Sequence, residues 1–249
     1  MRKRLEKIFG KFHSYPYIHT HHNFKVGGQK VQFHINNPVE RFRLQNWGWE
    51  KALILDALTL SKEGDIFYDI GASVGAISIP VGMKIKPGRV ISFEPDPENA
   101  ASLRGNFLLN KVEGFKIIPC AVADSAGEMQ LFTQGSNGWS PSLRQVNGIQ
   151  SSIPVKIVTV DGLLQTGEIP PPNVMKIDIE GAEMLALKGM SNLLSGADKP
   201  RLIILEIHPK FLPAFDTNVT EIFRFVLDRN FKIDWMESRS DQILCKLTA

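Results

Sequence analysis

Short apolar runs alternate with segments of helical periodicity over most of this chain of 249 residues. The strand-like runs lie at 66–70, 89–93, 115–120, 174–179 and 201–207. The helix-like segments lie at 47–60, 74–85, 97–110, 182–194 and 219–229. Strands separated by helices form parallel sheets with right-handed crossovers, so the pattern predicts an α/β domain built on a parallel sheet.

The end of the chain departs from this alternation. Two further strand-like runs, 231–236 and 242–247, are joined by residues 237–241. That connection is too short for a parallel crossover, so the two strands are predicted to pair in antiparallel fashion.

The beginning of the chain and one internal segment also lack the alternation. Residues 1–46 are predicted to form an N-terminal extension, in which the alternating run 31–35 suggests a small antiparallel hairpin. Residues 47–249 are predicted to form the main domain. Within it, a stretch rich in glycine and proline at about 134–154 is predicted to be a loop insertion.

Composition and charge limit the classes of partner. A hydrophobic fraction of 43% supplies a real core, and a net charge of +3 is too small for a nucleic-acid-binding face. The first eleven residues carry five basic side chains and one acidic side chain, which fits either a solvated helix end or weak attraction to an acidic membrane surface.

The cysteines and the length of the apolar runs indicate the cellular compartment. Cys120 and Cys245 each lie in an apolar run, where a thiol packs as a small hydrophobic group. No apolar run reaches the length of a membrane span, and the basic N-terminus lacks a signal-peptide core. We expect a cytoplasmic protein.

A glycine turn follows the first strand of the main domain, and it is the first candidate binding site. The sequence FYDIGASVG at 67–75 places Asp69 before a turn that contains the following residues: Gly71, Ala72, Ser73 and Gly75. Ligands of open α/β sheets bind at such a turn, and a helix beginning near Val74 would direct its positive end to them. The spacing is Gly-x-x-x-Gly, whereas dinucleotide sites have Gly-x-Gly-x-x-Gly.

Two later turns complete the predicted cofactor site. Glu94 ends the second strand, where its carboxylate can accept hydrogen bonds from both hydroxyls of a ribose, and Pro95 begins the turn that follows. Val122 follows the third strand and suits an adenine face. Asp124 would contact the adenine amino group or cap its own turn.

These motifs resemble the FkbM family of methyltransferases that use S-adenosylmethionine. The resemblance runs from Phe67 to Ile207 and includes FEPDPENAASLRGNFLLN, AVAD, VKIVTVDGLL, KIDIEGAE and LEIHP. It implies a Rossmann-like class I methyltransferase fold, which is an α/β sheet of seven mostly parallel strands with one antiparallel strand and helices on both faces. It further implies O-methylation of a hydroxyl on a sugar or a secondary metabolite.

Candidate catalytic groups lie at the carboxyl ends of the fourth and fifth strands. They are Asp178 and Glu180 in KIDIEGAE, and Glu206 and His208 in LEIHP. A hydroxyl acceptor must lose its proton, and His208 is the first candidate base because the pKa of imidazole is closest to neutral. Lys176 lies inside the strand, where we expect its stem to pack and its amine to reach outward.

A metal and a substrate loop are the open alternatives at this site. Asp178, Glu206 and His208 would suit magnesium or manganese if they converge, but the sequence favours a site without metal. Trp139 lies in the loop insertion and would either stack on a sugar ring or pack within its own loop.

The sequence therefore predicts an O-methyltransferase that uses S-adenosylmethionine and acts on a hydroxyl of a small molecule or glycan. An NAD-dependent oxidoreductase is the alternative enzyme, although its sheet would normally continue with parallel strands. A binding module that keeps the fold without turnover is the alternative from another class. The sequence does not predict the oligomeric state.

Overall fold

A computed structural model describes residues 20–36, 40, 41, 44, 51–134, 141–146 and 148–249. The strands are β1 (Thr20–Val26), β2 (Gln29–Ile35), β3 (Ile66–Ile70), β4 (Arg89–Phe93), β5 (Phe115–Ile118), β6 (Ala121–Val122), β7 (Gly127–Phe132), β8 (Ser152–Val158), β9 (Val174–Ile177), β10 (Leu202–Ile207), β11 (Lys232–Arg239) and β12 (Gln242–Thr248). The helices are α1 (Lys51–Leu60), α2 (Ser78–Lys84), α3 (Pro97–Leu109), α4 (Val160–Gln165), α5 (Glu183–Lys188), α6 (Ser191–Ser195) and α7 (Val219–Leu227), with a 3-10 helix at Leu212–Phe215.

The central sheet has seven strands in the order β11-β12-β10-β9-β3-β4-β5. Every neighbouring pair from β10 to β5 is parallel, and β12 runs antiparallel to both β10 and β11. The predicted fold class is therefore confirmed. Chain order reverses between β3 and β9, so the ends of these two strands flank the position where such sheets bind ligands.

The strands at the centre of the sheet are buried on both faces. All four residues of β9 are buried, as are most residues of β3 and β10. One face packs Met175, Ile203 and Leu187 into a core, and the other packs Val174 and Ile204 into a second core. Continuous apolar strands are expected when helices cover both faces of a parallel sheet. None of the helices in the described ranges is long and apolar enough to cross a membrane.

A second, smaller sheet accompanies the segment that was predicted as a loop insertion. Strand β8 pairs in parallel with β6 and in antiparallel fashion with β7. Ser142 forms a further bridge to Phe132, which brings the described part of the connection back onto this sheet. Residues 135–140 and 147 lie outside the described residues, so the predicted role of Trp139 falls there too.

Three predicted elements depart from the structure by more than two residues or by a break. Helix α2 begins at Ser78 and not near Val74, because Gly75 has a φ of +93°, which a helix cannot contain. The helix predicted at 182–194 breaks at Gly189, where a Cβ atom would lie 1.9 Å from the carbonyl oxygen of Ala123. Strand β11 continues to Arg239, through most of the predicted connection, because its last residues pair with the start of β12.

Strands β1 and β2 pair in antiparallel fashion as a hairpin, which docks on α3 through two asparagines. The backbone N–H of His34 donates to the Asn106 side chain at 2.9 Å. The Asn110 side chain accepts from the N–H of Gln32 at 2.8 Å and donates to the carbonyl of Gln32 at 2.6 Å. These side chains satisfy backbone groups on the free edge of β2, which would otherwise lack partners.

Asn106 also connects this hairpin to the glycine turn, because its amide nitrogen donates to the carbonyl of Val74 at 2.9 Å. We expect Asn106→Ala to lower the free energy of unfolding by about 2 to 4 kcal/mol, since two buried backbone groups lose their partners. Urea unfolding would measure this loss. Asn192→Ala, at an exposed position of α6, is the matched control, and equal losses in the two variants would contradict the assignment.

Candidate functional site

A cavity of about 380 Å³ opens at the carboxyl end of the central sheet. Its walls come from the turns after β3 and β4, the segment after β6, the ends of β9 and β10, and the β11–β12 hairpin. The cavity thus lies where the strand order predicts a ligand. Of the predicted cofactor residues it is lined by the following: Asp69, Gly71, Ala72, Ser73, Glu94, Pro95 and Val122.

The glycine turn lies against the end of β9. Gly71 has a φ of +82°, and a Cβ atom there would lie 2.0 Å from the carbonyl oxygen of Asp178. Only glycine fits such a left-handed turn in contact with backbone. Gly75 is not among the described residues that line the cavity, and a Cβ atom on it would lie 2.6 Å from Leu103. The structure thus places Gly75 in the packing between the turn and α3.

Glu94 is held in place by two backbone N–H groups. Its carboxylate accepts from Ser73 at 2.7 Å and from Asp96 at 2.9 Å, and the residue is 3% exposed. Burial raises the pKa of the Glu94 carboxyl to about 7, because hydrogen bonds from Asp96 and Ser73 offset only part of the desolvation. Asp96 caps α3 by accepting from the N–H groups of Glu98 and Asn99. Fixed in this way, the carboxylate faces the cavity.

Asp124 differs from the other predicted cofactor residues. It is exposed, and it is not among the described residues that line the cavity. Ser125 Oγ lies 3.5 Å from its carboxylate, within the turn that precedes β7. The local contacts fit the turn role and not contact with adenine.

Lys176 is a buried cation, contrary to the expectation that its amine would reach outward. The residue is 4% exposed, and its Nζ lies 3.2 Å from Asp69 Oδ1 and 3.6 Å from Asp178 Oδ2. It also donates to the carbonyl of Gly71 at 2.7 Å. Burial lowers the pKa of this amine, but the charges of Asp69 and Asp178 outweigh burial and keep the pKa above its ordinary value. The negative charge of Asp69 is therefore offset within the protein.

The four catalytic candidates, whose convergence the sequence left open, lie close together in the structure. His208 Nε2 lies 3.7 Å from Asp178, 3.6 Å from Glu180 and 4.0 Å from Glu206. These three carboxylates, here called the acid group, line the cavity. The imidazole is not among the described side chains that line it, and His208 is only 2% exposed. His208 therefore lies behind the acid group.

Glu183 is a further member of this cluster that the sequence did not single out. It is 0% exposed, and its Oε1 accepts from the N–H of Gly181 at 3.0 Å and lies 2.7 Å from His208 Nδ1. Burial lowers the pKa of this imidazole, but the hydrogen bond to Glu183 and the charges of Glu180 and Asp178 outweigh burial and raise the pKa to about 10. An acid in the apolar segment AEMLAL was the available signal, because a buried acid requires a partner.

The group of possible metal ligands in the structure differs by one residue from the group that the sequence suggested. The sequence suggested Asp178, Glu206 and His208, whereas Asp178, Glu180 and His208 offer ligand atoms that all lie within 4.8 Å of one another. The chain leaves the strand after Ile177, and Glu180 takes a left-handed conformation with a φ of +52°. Strand alternation therefore does not describe where Glu180 lies.

The strand order and the position of the cavity define a class I methyltransferase fold. A family model described as the methyltransferase FkbM domain matches residues 69–233. The chain therefore belongs to the FkbM family of methyltransferases.

The chain is also similar to individual methyltransferases. The chain is 28% identical to hexuronic acid methyltransferase AglP of Haloferax volcanii over 221 residues, which cover 84% of this chain and 86% of that protein. It is 24% identical to 31-O-demethyl-FK506 methyltransferase FkbM of Streptomyces tacrolimicus, over 70% of this chain and 77% of that protein. Its fold is similar to magnesium protoporphyrin IX methyltransferase of Synechocystis PCC 6803 with bound SAM, with a TM-score of 0.50, 14% identity, and coverage of 86% of this chain and 85% of that chain.

A comparison of two glycines tests whether the close contact between the turn and Asp178 requires glycine at position 71. Gly64 and Gly71 both have positive φ, but a Cβ atom at Gly64 would meet nothing within 4 Å. We expect Gly64→Ala to cost about 1 to 2 kcal/mol of stability through its backbone conformation alone. Gly71→Ala should cost more and weaken binding of S-adenosylhomocysteine more than tenfold, because the turn must move away from Asp178. Thermal unfolding and calorimetry would measure both effects, and equal affinities in the two variants would contradict this role for Gly71.

Proposed function

We propose that this protein transfers a methyl group from S-adenosylmethionine to a hydroxyl oxygen of a sugar or a related metabolite. One observation carries the proposal: the glycine turn with Glu94 and the acid group open into the same cavity. A cofactor held by the turn and an acceptor held beside the acid group would therefore meet there. The relatives support the substrate class, since one is named for a hexuronic acid and another for an oxygen of FK506.

The residues of the turn fit S-adenosylmethionine. Gly71 lets the turn lie directly against the backbone of Asp178 and along the cavity, and Glu94 lines the cavity as an acceptor for ribose hydroxyls. Ala72, Ser73 and Val122 supply the remaining contacts of the predicted set. When bound, S-adenosylmethionine supplies a methyl group already activated by a sulfonium, so positioning provides much of the rate.

The acid group is the best placed to receive the proton of the acceptor. Asp178, Glu180 and Glu206 line the cavity, whereas His208 is buried behind them and carries a proton at neutral pH. We therefore assign the base to a carboxylate of the acid group, in place of His208. In this assignment His208 is a positioning residue, whose charge and hydrogen bond to Glu183 hold the acids together.

The ionisation of Glu94 gives a pH dependence for cofactor binding. Ribose hydroxyls donate to the ionised carboxylate, so protonation of Glu94 should weaken binding as the pH falls through about 7. We expect the dissociation constant of S-adenosylhomocysteine to be about tenfold higher at pH 6 than at pH 8. Calorimetry across this range would measure the change.

Glu94→Gln is the matched variant for this prediction. It keeps the shape of the side chain but has no ionisation in this range, so its affinity should be weaker by roughly 1.5 to 3 kcal/mol at pH 8 and flat with pH. A wild-type affinity that does not change between pH 6 and pH 8 would remove Glu94 from the ribose.

A transfer assay tests the proposed reaction. Labelled S-adenosylmethionine would be incubated with neutral sugars, uronic acids and hydroxylated metabolites, and the products treated with mild alkali. A methyl ether on a hydroxyl resists alkali, whereas a methyl ester on a carboxylate is cleaved. We expect alkali-stable label with at least one acceptor, and a strong loss of turnover in an Asp178→Asn variant. Label that is only alkali-labile would contradict a hydroxyl acceptor. Cofactor binding without transfer to any acceptor would favour a binding module.

A further inference from the structure

The acid group and His208 have the arrangement of a divalent cation site. His208 Nε2 lies 3.7 Å from Asp178 Oδ1 and 3.6 Å from Glu180 Oε2. All three ligand atoms lie within 4.8 Å of one another. Ligand bonds to magnesium or manganese are about 2.1 Å long, so two ligands on one ion lie roughly 3.0 to 3.6 Å apart at angles of 90° to 120°. The two pairs that include the imidazole are already at nearly that spacing.

The orientation of the His208 ring is a second observation that supports a cation. Glu183 is completely buried and contacts Nδ1 at 2.7 Å, which leaves Nε2 as the nitrogen that faces the acid group. Histidines that bind metals use one ring nitrogen as the ligand and donate the other N–H to a carboxylate or carbonyl in this way. A lone acidic patch has no such fixed imidazole.

The charge of the surrounding side chains also favours a cation. Four carboxylates lie around His208: Asp178, Glu180, Glu183 and Glu206. Of the basic side chains, Lys176 is shared between Asp69 and Asp178, and Arg239 also lines the cavity. Glu183 Oε2 is buried and has no hydrogen-bond partner among the described atoms. Buried negative charge in excess is costly, and a divalent ion would offset it.

We propose that Asp178, Glu180 and His208 bind one divalent cation, magnesium or manganese, with Glu206 beside the site and Glu183 orienting the histidine. Oxygen ligands with one imidazole suit these ions. In this state the ion takes the place of the proton on Nε2. The Gln242 amide nitrogen, which lies 3.2 Å from Nε2, must move aside.

The role of the ion rests on the proposed function, whereas its binding does not. A cation at this place would contact the acceptor oxygen and lower the pKa of the hydroxyl, so that the base receives the proton more readily. Binding of the ion is measurable in the absence of cofactor and acceptor.

Calorimetry of the full chain with MnCl₂ and with MgCl₂ tests the site directly. We expect one saturable site per chain, lost in Asp178→Asn and in His208→Ala. Glu183→Gln should weaken binding by about 10-fold to 100-fold, because it removes the carboxylate that orients the histidine. Glu128→Gln, an exposed acid on β7, is the matched control and should bind as the wild type does.

Binding of S-adenosylhomocysteine, measured on the same samples, separates the outcomes. If a variant binds it normally, the domain is folded, and a lost metal site then reflects lost ligands. A wild-type chain that binds S-adenosylhomocysteine but no ion would overturn the cation site and leave the proposed function standing. A chain that binds the ion but not S-adenosylhomocysteine would overturn the proposed function instead. Metal affinity that is unchanged in Asp178→Asn and His208→Ala would place the ion elsewhere and also overturn the site.

Discussion

The buried amine of Lys176 is the interaction on which the rest of the site depends. It joins Asp69 at the end of β3, the carbonyl of Gly71 in the glycine turn, and Asp178 just beyond β9. A charge that is 4% exposed is tolerated only with partners of opposite sign, so these three segments are held in one arrangement. The glycine turn and Asp178, the first acid of the acid group, are therefore positioned by the same cation.

The two ends of the cavity differ in charge because of this pairing. At the end beside the glycine turn, Lys176 offsets Asp69, and Glu94 is the other carboxylate of the predicted set that lines the cavity. At the other end, Asp178, Glu180 and Glu206 converge on one imidazole. Such a gradient favours a neutral or positively charged group beside the acid group, and it suits a hydroxyl acceptor better than an unaccompanied carboxylate.

The sheet and the strand ends that border the cavity could be predicted from the sequence because both depend on local patterns. Apolar runs identify strands, and glycines and acids directly after them identify strand ends, as with Gly71 and Glu94. The pairing of Glu183 with His208 could not be predicted, because it joins residues 25 positions apart. It depends on the left-handed turn at Glu180 and Gly181, which no periodicity describes. Lys176 was misjudged for a similar reason, since Asp69 lies on a neighbouring strand and Gly71 in the turn that follows that strand.

Under the proposed function, an acceptor would be selected by two elements: the segment between β7 and β8, and the β11–β12 hairpin. Ser142, in the segment between β7 and β8, donates to the backbone carbonyl of Glu180 at 2.9 Å, and Arg239 and Gln242 line the cavity from the β11–β12 hairpin. Ser142 and Gln242 thus contact the acid group and its histidine, since the Gln242 amide nitrogen lies 3.2 Å from His208 Nε2. A change in either element would therefore alter the surroundings of the acid group, while Lys176 still holds the glycine turn against Asp178. This separation is a physical reason why one sheet can serve relatives that act on different substrates.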